Sequence, residues 1–439
     1  MIDPGAFARR GRHDREIAAL AVPALGSLVA DPVLSLVDTA FVSRLGTEAL
    51  GALGVSTAVF AVAFWVFNFL EYGTTAAVAQ AVGAGDTERA RRGAATAVAS
   101  ALAFGVVAVV IIESLAGPIL RAMGASEAVR GEAFAYLRIR ALAAPAVLLV
   151  RAGHGAFRGY QDTRTPFFVT VGLNIVNLVL DPLLIFGAGW GVAGAAWATV
   201  TAQWAGAVAF LVLLGRTNGP SLRGARPAAH EVRAFLVVGR DLIIRTGSLL
   251  AVMTAATAVA ARVSDAAIGA HQVLYQVWTF LALAVDALAV AGQALIGRLL
   301  GAGDREAAGR VADRLLAFGV VVGAMLGIGV AAVAGALPVW FGDDPDVGES
   351  ISSAVWLLAA TQPIGAVVFV WDGVFMGAGD FRYLAGAMVV SAVVGAALLG
   401  LVLPFGWGLP GVWWAILALL AARLVTLAWR RVAPGGPFR

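Results

Sequence analysis

Long apolar runs separated by short clusters of charge and glycine dominate the chain. Twelve such runs can be drawn, near 16-42, 51-81, 93-119, 131-154, 166-187, 191-215, 234-262, 266-297, 315-338, 350-376, 384-404 and 408-429. Each is long enough to cross about 30 Å of hydrocarbon as a helix, which takes roughly 20 apolar residues. The pattern predicts an all-α integral membrane protein of twelve spans.

The halves repeat. With a shift of 218 residues, Arg44, Gly51 and Ala52 fall on Arg262, Gly269 and Ala270, and Gly83-Ala84-Gly85-Asp86 falls on Gly301-Ala302-Gly303-Asp304. Gly155, Phe157, Gly159, Asp162 and Arg164 fall on Gly373, Phe375, Gly377, Asp380 and Arg382; after a slip of one residue, Trp190, Gly191, Gly194 and Trp197 fall on Trp407, Gly408, Gly411 and Trp414. Six spans per half is an even number, so the two repeats insert in the same orientation, related by an axis along the membrane normal. The expected domains are a six-helix lobe over 1-215, a cytoplasmic linker over 216-233 rich in charge, glycine and proline, and a second six-helix lobe over 234-439. Two such lobes flank a central cleft suited to alternating access.

Composition agrees with this picture and narrows it. Hydrophobic residues make up 60% of the 439 and charged residues 13%, with a mean hydropathy of +0.87, more apolar surface than a water-soluble core hides. Cysteine is absent and all 31 basic residues are arginine, so thiol chemistry is excluded. The arginines sit in short patches between apolar runs rather than along one helix face, so they read as topology and not as a nucleic-acid surface. Most fall on the connectors that share a side with both termini, which places the termini in the cytoplasm. Arg9, Arg10, Arg12 and Arg15 precede a first run too long for a signal-peptide core, which is therefore read as the first span.

An ionisable residue inside a span costs a few kcal/mol and calls for a reason. Asp31 and Asp38 lie in the first span, Asn174, Asn177 and Asp181 in the fifth, Asp286 in the eighth and Asp372 in the tenth. Asn174, Asn177 and Asp181, at i, i+3 and i+7, share one helix face. Asp38 and Asp181 fall at similar depths, and two buried carboxyls close together can load and release a proton. The alternative is that they are hydrogen-bonded structural residues. The repeat puts Ala256 opposite Asp38, so these acids are private to one half. Glu71, beside Asn68, is a candidate cleft residue, and Asp241 with Arg245 reads as an intrahelical pair. His271 and its polar neighbours at the start of the eighth span read as either cargo contacts or packing. Four histidines show no metal-ligand spacing, and the glycine turns lack the G-K-[ST] of a phosphate loop, so no metal and no cofactor are expected.

Taken together, the segment Asp31-Pro-Val-Leu-Ser-Leu-Val-Asp38-Thr-Ala-Phe, the GAGD turns at 83-86 and 301-304, Gly155 to Pro166, and Trp371-Asp-Gly-Val-Phe-Met-Gly-Ala-Gly-Asp380 resemble the multidrug and toxic compound extrusion (MATE) transporters, in particular their DinF-type branch. The resemblance implies two six-helix bundles in a V shape and a monomer in the cell membrane. It implies export of organic, often cationic or amphipathic, compounds against protons, with sodium as the alternative ion, and no enzyme activity. It carries the coupling role to Asp38, with Asn177, Asp181 and Thr199 as polar partners, and helix bending to Pro23; Leu34 stands where a tyrosine often accompanies the aspartate. Asp372 matches an acid of a second-lobe sodium site in another branch, and Asp286 is a further cleft candidate. A flippase for lipid-linked or lipid cargo is the rival, favoured by arginines in the cleft; here the arginines are expected at cytoplasmic ends.

Overall fold

The structure is a computed structural model describing residues 4-124, 126-216, 222, 227, 229-341 and 344-438. Of the expected linker over 216-233, residues 217-221, 223-226 and 228 lie outside the described residues. Among the described residues fifteen α-helices follow one another: α1 (Pro4–Ser43), α2 (Thr47–Trp65), α3 (Phe69–Gly83), α4 (Thr87–Ala122), α5 (Glu127–Ala141), α6 (Ala144–Gly159), α7 (Arg164–Pro182), α8 (Gly191–Arg216), α9 (Ala229–Val263), α10 (Asp265–Gly301), α11 (Arg305–Val333), α12 (Leu337–Phe341), α13 (Pro345–Gly377), α14 (Phe381–Val402) and α15 (Gly408–Val432). A 3₁₀ turn, Val66–Asn68, joins α2 to α3, so 47-83 is one span. Among the described residues eleven spans are straightforward, and the bent pair α5 and α6 makes the twelfth. Outward faces are greasy: Val106, Val110, Val321, Met325 and Ile328 are each more than half exposed, tolerable only where lipid rather than water surrounds them.

The fourth span is not the single helix expected over 131-154. Its halves meet at 48°. Pro145 at the start of α6 has no N–H for the carbonyl of Ala141, which breaks the ladder, and Gly105 of α4 has no Cβ to collide with Pro145. The indole Nε1 of Trp204 donates to the Leu142 carbonyl at 3.1 Å, meeting one acceptor that the bend exposes.

The repeated residues prove to be packing and turn devices. Gly85 and Gly303 adopt φ of +71° and +76°, the left-handed conformation that glycine enters without strain. The aspartate after each accepts from the next helix, Asp86 from the Arg89 amide and Asp304 from the Ala307 amide. Gly155 packs on the backbone of Glu71 in α3, and Gly373 packs on that of Ala289 in α10; 71 and 289 are themselves 218 apart. Small residues that let helix backbones touch replace the hydrophobic drive that lipid removes.

Contacts divide the chain into two compact units, one over Val22–Gly239 and one combining the residues up to Ala21 with Arg240–Arg439. The boundaries read from the sequence, 215 and 234, differ because each half's first span begins on the other unit. In the second unit Ile17, Leu20 and Ala21 join the core around α10, α11 and α13, while Asp14 grips Arg314 through both oxygens at 2.6 and 2.7 Å. In the first unit Arg92 meets Glu231 at 2.9 Å, and Phe235 packs on Phe69. The crossover points, Ala21 and Gly239, are 218 residues apart, so the exchange follows the repeat.

Replacing Gly373 by alanine drives a methyl into the Ala289 backbone and is expected to cost about 1–3 kcal/mol. Gly386→Ala, where an added Cβ meets nothing within 4 Å, is expected to leave the thermal midpoint of the purified protein in place.

Candidate functional site

The first unit encloses a cavity of about 590 Å³ walled by α1, α2, α5, α6, α7 and α8. Asp31, Leu34 and Asp38 enter it from α1, Phe60, Phe64 and Trp65 from α2, Tyr136 and Arg140 from α5, Arg151 from α6, Asn174 from α7, and Thr199 and Gln203 from α8. Both carboxylates of the first span therefore look into one space. Behind its wall, the carboxyl of Asp181 lies within hydrogen-bonding reach of Asp38. Asn177 and Asp181 are wholly buried, and the Asn177 amide donates to Asp181 Oδ1 at 3.2 Å. Among the described residues, Asp38 Oδ1 and Asp181 Oδ2 are buried without a hydrogen-bond partner. Two carboxylates so placed repel, and a single proton between them turns the repulsion into a hydrogen bond.

The chain around Asp181 is built to hold it there. Asp181 precedes Pro182, which cannot donate into the helix ladder, and Leu183–Gly187 continues as a π-turn, an irregularity frequent at functional sites. Gly194 of α8 lies against the backbone of Leu184, where a Cβ would not fit. The turn is thereby packed against α8, the helix that carries Thr199. The Thr199 hydroxyl itself donates to Ala195 O at 2.9 Å; Thr199 lines the cavity without donating to either aspartate. Pro23 lies within α1, where the Ser27 hydroxyl donates to its carbonyl at 3.2 Å, two residues beyond the point at which α1 passes from one unit to the other.

Several residues named from the sequence stand elsewhere. Asp372 is clamped in the second unit, Oδ2 by Arg245 at 2.6 Å and Oδ1 by Arg423 at 2.5 Å. Two guanidiniums on both oxygens leave a further cation facing positive charge, so the candidate sodium role of Asp372 does not fit this geometry. The intrahelical pair expected of Asp241 and Arg245 is likewise replaced: Asp241 takes Arg240 at 2.7 Å, and Arg245 crosses to Asp372. Asp286 sits half-buried on α10 of the second unit. Glu71 does not face the cavity; it is bound by Arg158, with Arg151 at 3.8 Å, while His154 bridges Arg158 and the Thr170 hydroxyl. His271 is a packing residue, fully buried, with Thr257 at 3.2 Å and Tyr275 and Trp413 against its ring.

The arginines require the largest correction. Arg140 and Arg151 belong to the cavity wall, so the cavity carries both signs of charge. Their position inside the fourth span was the available signal.

Comparison with known proteins supplies the family. The chain is 34% identical to Protein DETOXIFICATION 44, chloroplastic, of Arabidopsis thaliana, covering 100% of this chain and 85% of that protein. It is 31% identical to DNA damage-inducible protein F of Escherichia coli (strain K12), over 95% of this chain and 92% of that one. A crystal structure of MATE in the bent conformation superposes with a TM-score of 0.89 at 22% identity, covering 98% and 97% of the two chains. Residues 23–183 and 245–400, most of both repeats, match the MatE family. The chain is a multi-pass membrane transporter, not an enzyme, and belongs to the MatE family of efflux transporters.

Proposed function

We propose that the protein is a secondary active antiporter that exports organic compounds in exchange for protons by alternating access. The observation that carries this reading is the pairing of Asp38 with Asp181 at the wall of the charged, aromatic cavity. With the pair deprotonated, its negative charge favours a cationic or amphipathic cargo. A proton taken up by the pair removes that charge and lowers cargo affinity, so proton and cargo alternate in one unit of the protein. The cavity volume falls in the range that encloses drug-sized molecules. Asn177 orients Asp181, and Pro23 gives α1 a position lacking a backbone hydrogen bond, where protonation of Asp38 can be converted into a change of helix path.

Protons rather than sodium are the coupling ion in this reading, because the second unit's acid is already neutralised by Arg245 and Arg423. The host membrane is the cytoplasmic membrane, with both termini inside, and the working unit is a monomer. Arg140 and Arg151 in the cavity wall favour one second reading, a flippase for lipid-linked or lipid cargo bearing phosphate. Movement of labelled lipid without dye efflux would put that reading first.

In inverted vesicles, efflux of a cationic dye is expected to follow an imposed proton gradient and to fall to the level of protein-free vesicles in Asp38→Asn. Dye movement driven by sodium alone, or an unimpaired Asp38→Asn, contradicts the proposal. Asp372 is expected to act through stability instead. Arg423→Ala leaves a buried charge without one of its partners and is expected to cost about 3–5 kcal/mol, read as a lowered thermal midpoint.

A further inference from the structure

Among the described residues, one arginine of the cavity wall feels the Asp38 charge but forms no ion pair. Arg140 closes the last turn of α5, where the bend before α6 creates a helix C-terminus at membrane depth, and carbonyl ends favour a cation there. Its neighbours are engaged: Arg138 with Glu113, Arg158 with Glu71, and Arg151 with Asn68 Oδ1 at 2.5 Å. Arg140 forms no ion pair among the described residues, although it stands near Asp38 and Tyr136. Its guanidinium carbon lies 5.3 Å from the centre of the Phe60 ring, and its Nη1 is buried without a hydrogen-bond partner. Stacking on Phe60 fixes the plane of the guanidinium. It leaves an edge of N–H donors, the geometry that binds a carboxylate through two parallel hydrogen bonds.

A half-buried cation inside a span is kept there only when something compensates it. The coupling pair has a compensating proton of its own. We infer that Arg140 is a specificity-determining residue that receives an anionic group of the cargo, such as a carboxylate, while Phe60, Phe64 and Trp65 take the attached aromatic rings. Asp31, at another part of the wall beside Asn174 and Arg151, receives a cationic end. The cargo range then includes aromatic zwitterions and acids as well as plain cations. This inference rests on the reading of the cavity as the cargo site, not on the identity of the coupling ion.

The test uses two fluorescent xanthene dyes that differ only in the carboxyl of the pendant ring, one a free acid and one its methyl ester. Binding to the purified full-length protein is followed by fluorescence anisotropy. The wild type is expected to bind the acid at least as tightly as the ester. Arg140→Gln is expected to weaken the acid about tenfold, the scale of one lost charge-assisted contact, while the ester changes less than about twofold. Arg140→Lys, which keeps the charge without the fork, is expected to recover part of the acid binding. Equal loss for acid and ester, or no loss for either, overturns the inference, and a general folding defect appears as equal loss together with a lowered thermal midpoint. Proton-driven efflux of the ester by Arg140→Gln separates the two claims. If it persists while acid and ester binding do not diverge, the inference fails and the antiporter stands; if the wild type moves neither dye under a proton gradient, the antiporter reading fails whatever the binding contrast shows.

Discussion

Hydrocarbon does not solvate charge, and the internal arrangement of this protein follows from that constraint. Asp372 is held between Arg245 and Arg423, and Glu71 is gripped by Arg158. Even the carbonyl of Leu142, exposed by a bend, finds the Trp204 indole. Against this background the cavity of the first unit stands out. Asp38 and Asp181 lie within reach of one another, each with one oxygen that no donor among the described residues meets, and Arg140 stands near Asp38 with no ion pair among the described residues. In the proposed reading these groups are compensated by something that comes and goes, a proton at the pair and a cargo group at the arginine.

Scaffold and chemistry are distributed differently over the repeat. Glycine seams, GAGD turns and the crossover points at Ala21 and Gly239 recur at a constant offset, because both halves solve the same packing problem. Gln161 takes φ of +64° where the other half has Gly379 at +77°, so even strained backbone is retained at the repeated position. The charged groups inside the spans do not recur in kind. Position 289 opposite Glu71 is alanine, position 256 opposite Asp38 is alanine, and the two buried ion clusters use different residues at His154 and Asp372. Packing constrains both copies, whereas the proposed coupling site is needed once.

Much of this could be read from the residues alone. The spans followed from apolar length, the two halves from the 218-residue offset, and the shared face of Asn177 and Asp181 from helical spacing, since neighbours four apart share a face. What was not legible depended on contacts between distant segments. Arg245 is four residues from Asp241, and local spacing favours that pair, yet its partner is 127 residues away because α9 packs near α13. The fourth span looked continuous in hydropathy; only Pro145 signalled the break that directs Arg140 inward. The resemblance named Thr199 as a polar partner of Asp38; it lines the cavity, but its hydroxyl is committed to its own helix, a competition between backbone and side chain that the sequence does not resolve.

The most direct test of the central claim measures protons rather than flux. Purified protein in weakly buffered detergent solution, with a pH indicator present, is mixed with a cationic cargo dye near the pH at which the carboxyl pair holds its shared proton. Release of close to one proton for each dye bound, absent in both Asp38→Asn and Asp181→Asn, is the predicted result. Dye binding without proton release in the wild type, or release that survives both substitutions, would contradict exchange at the Asp38–Asp181 pair.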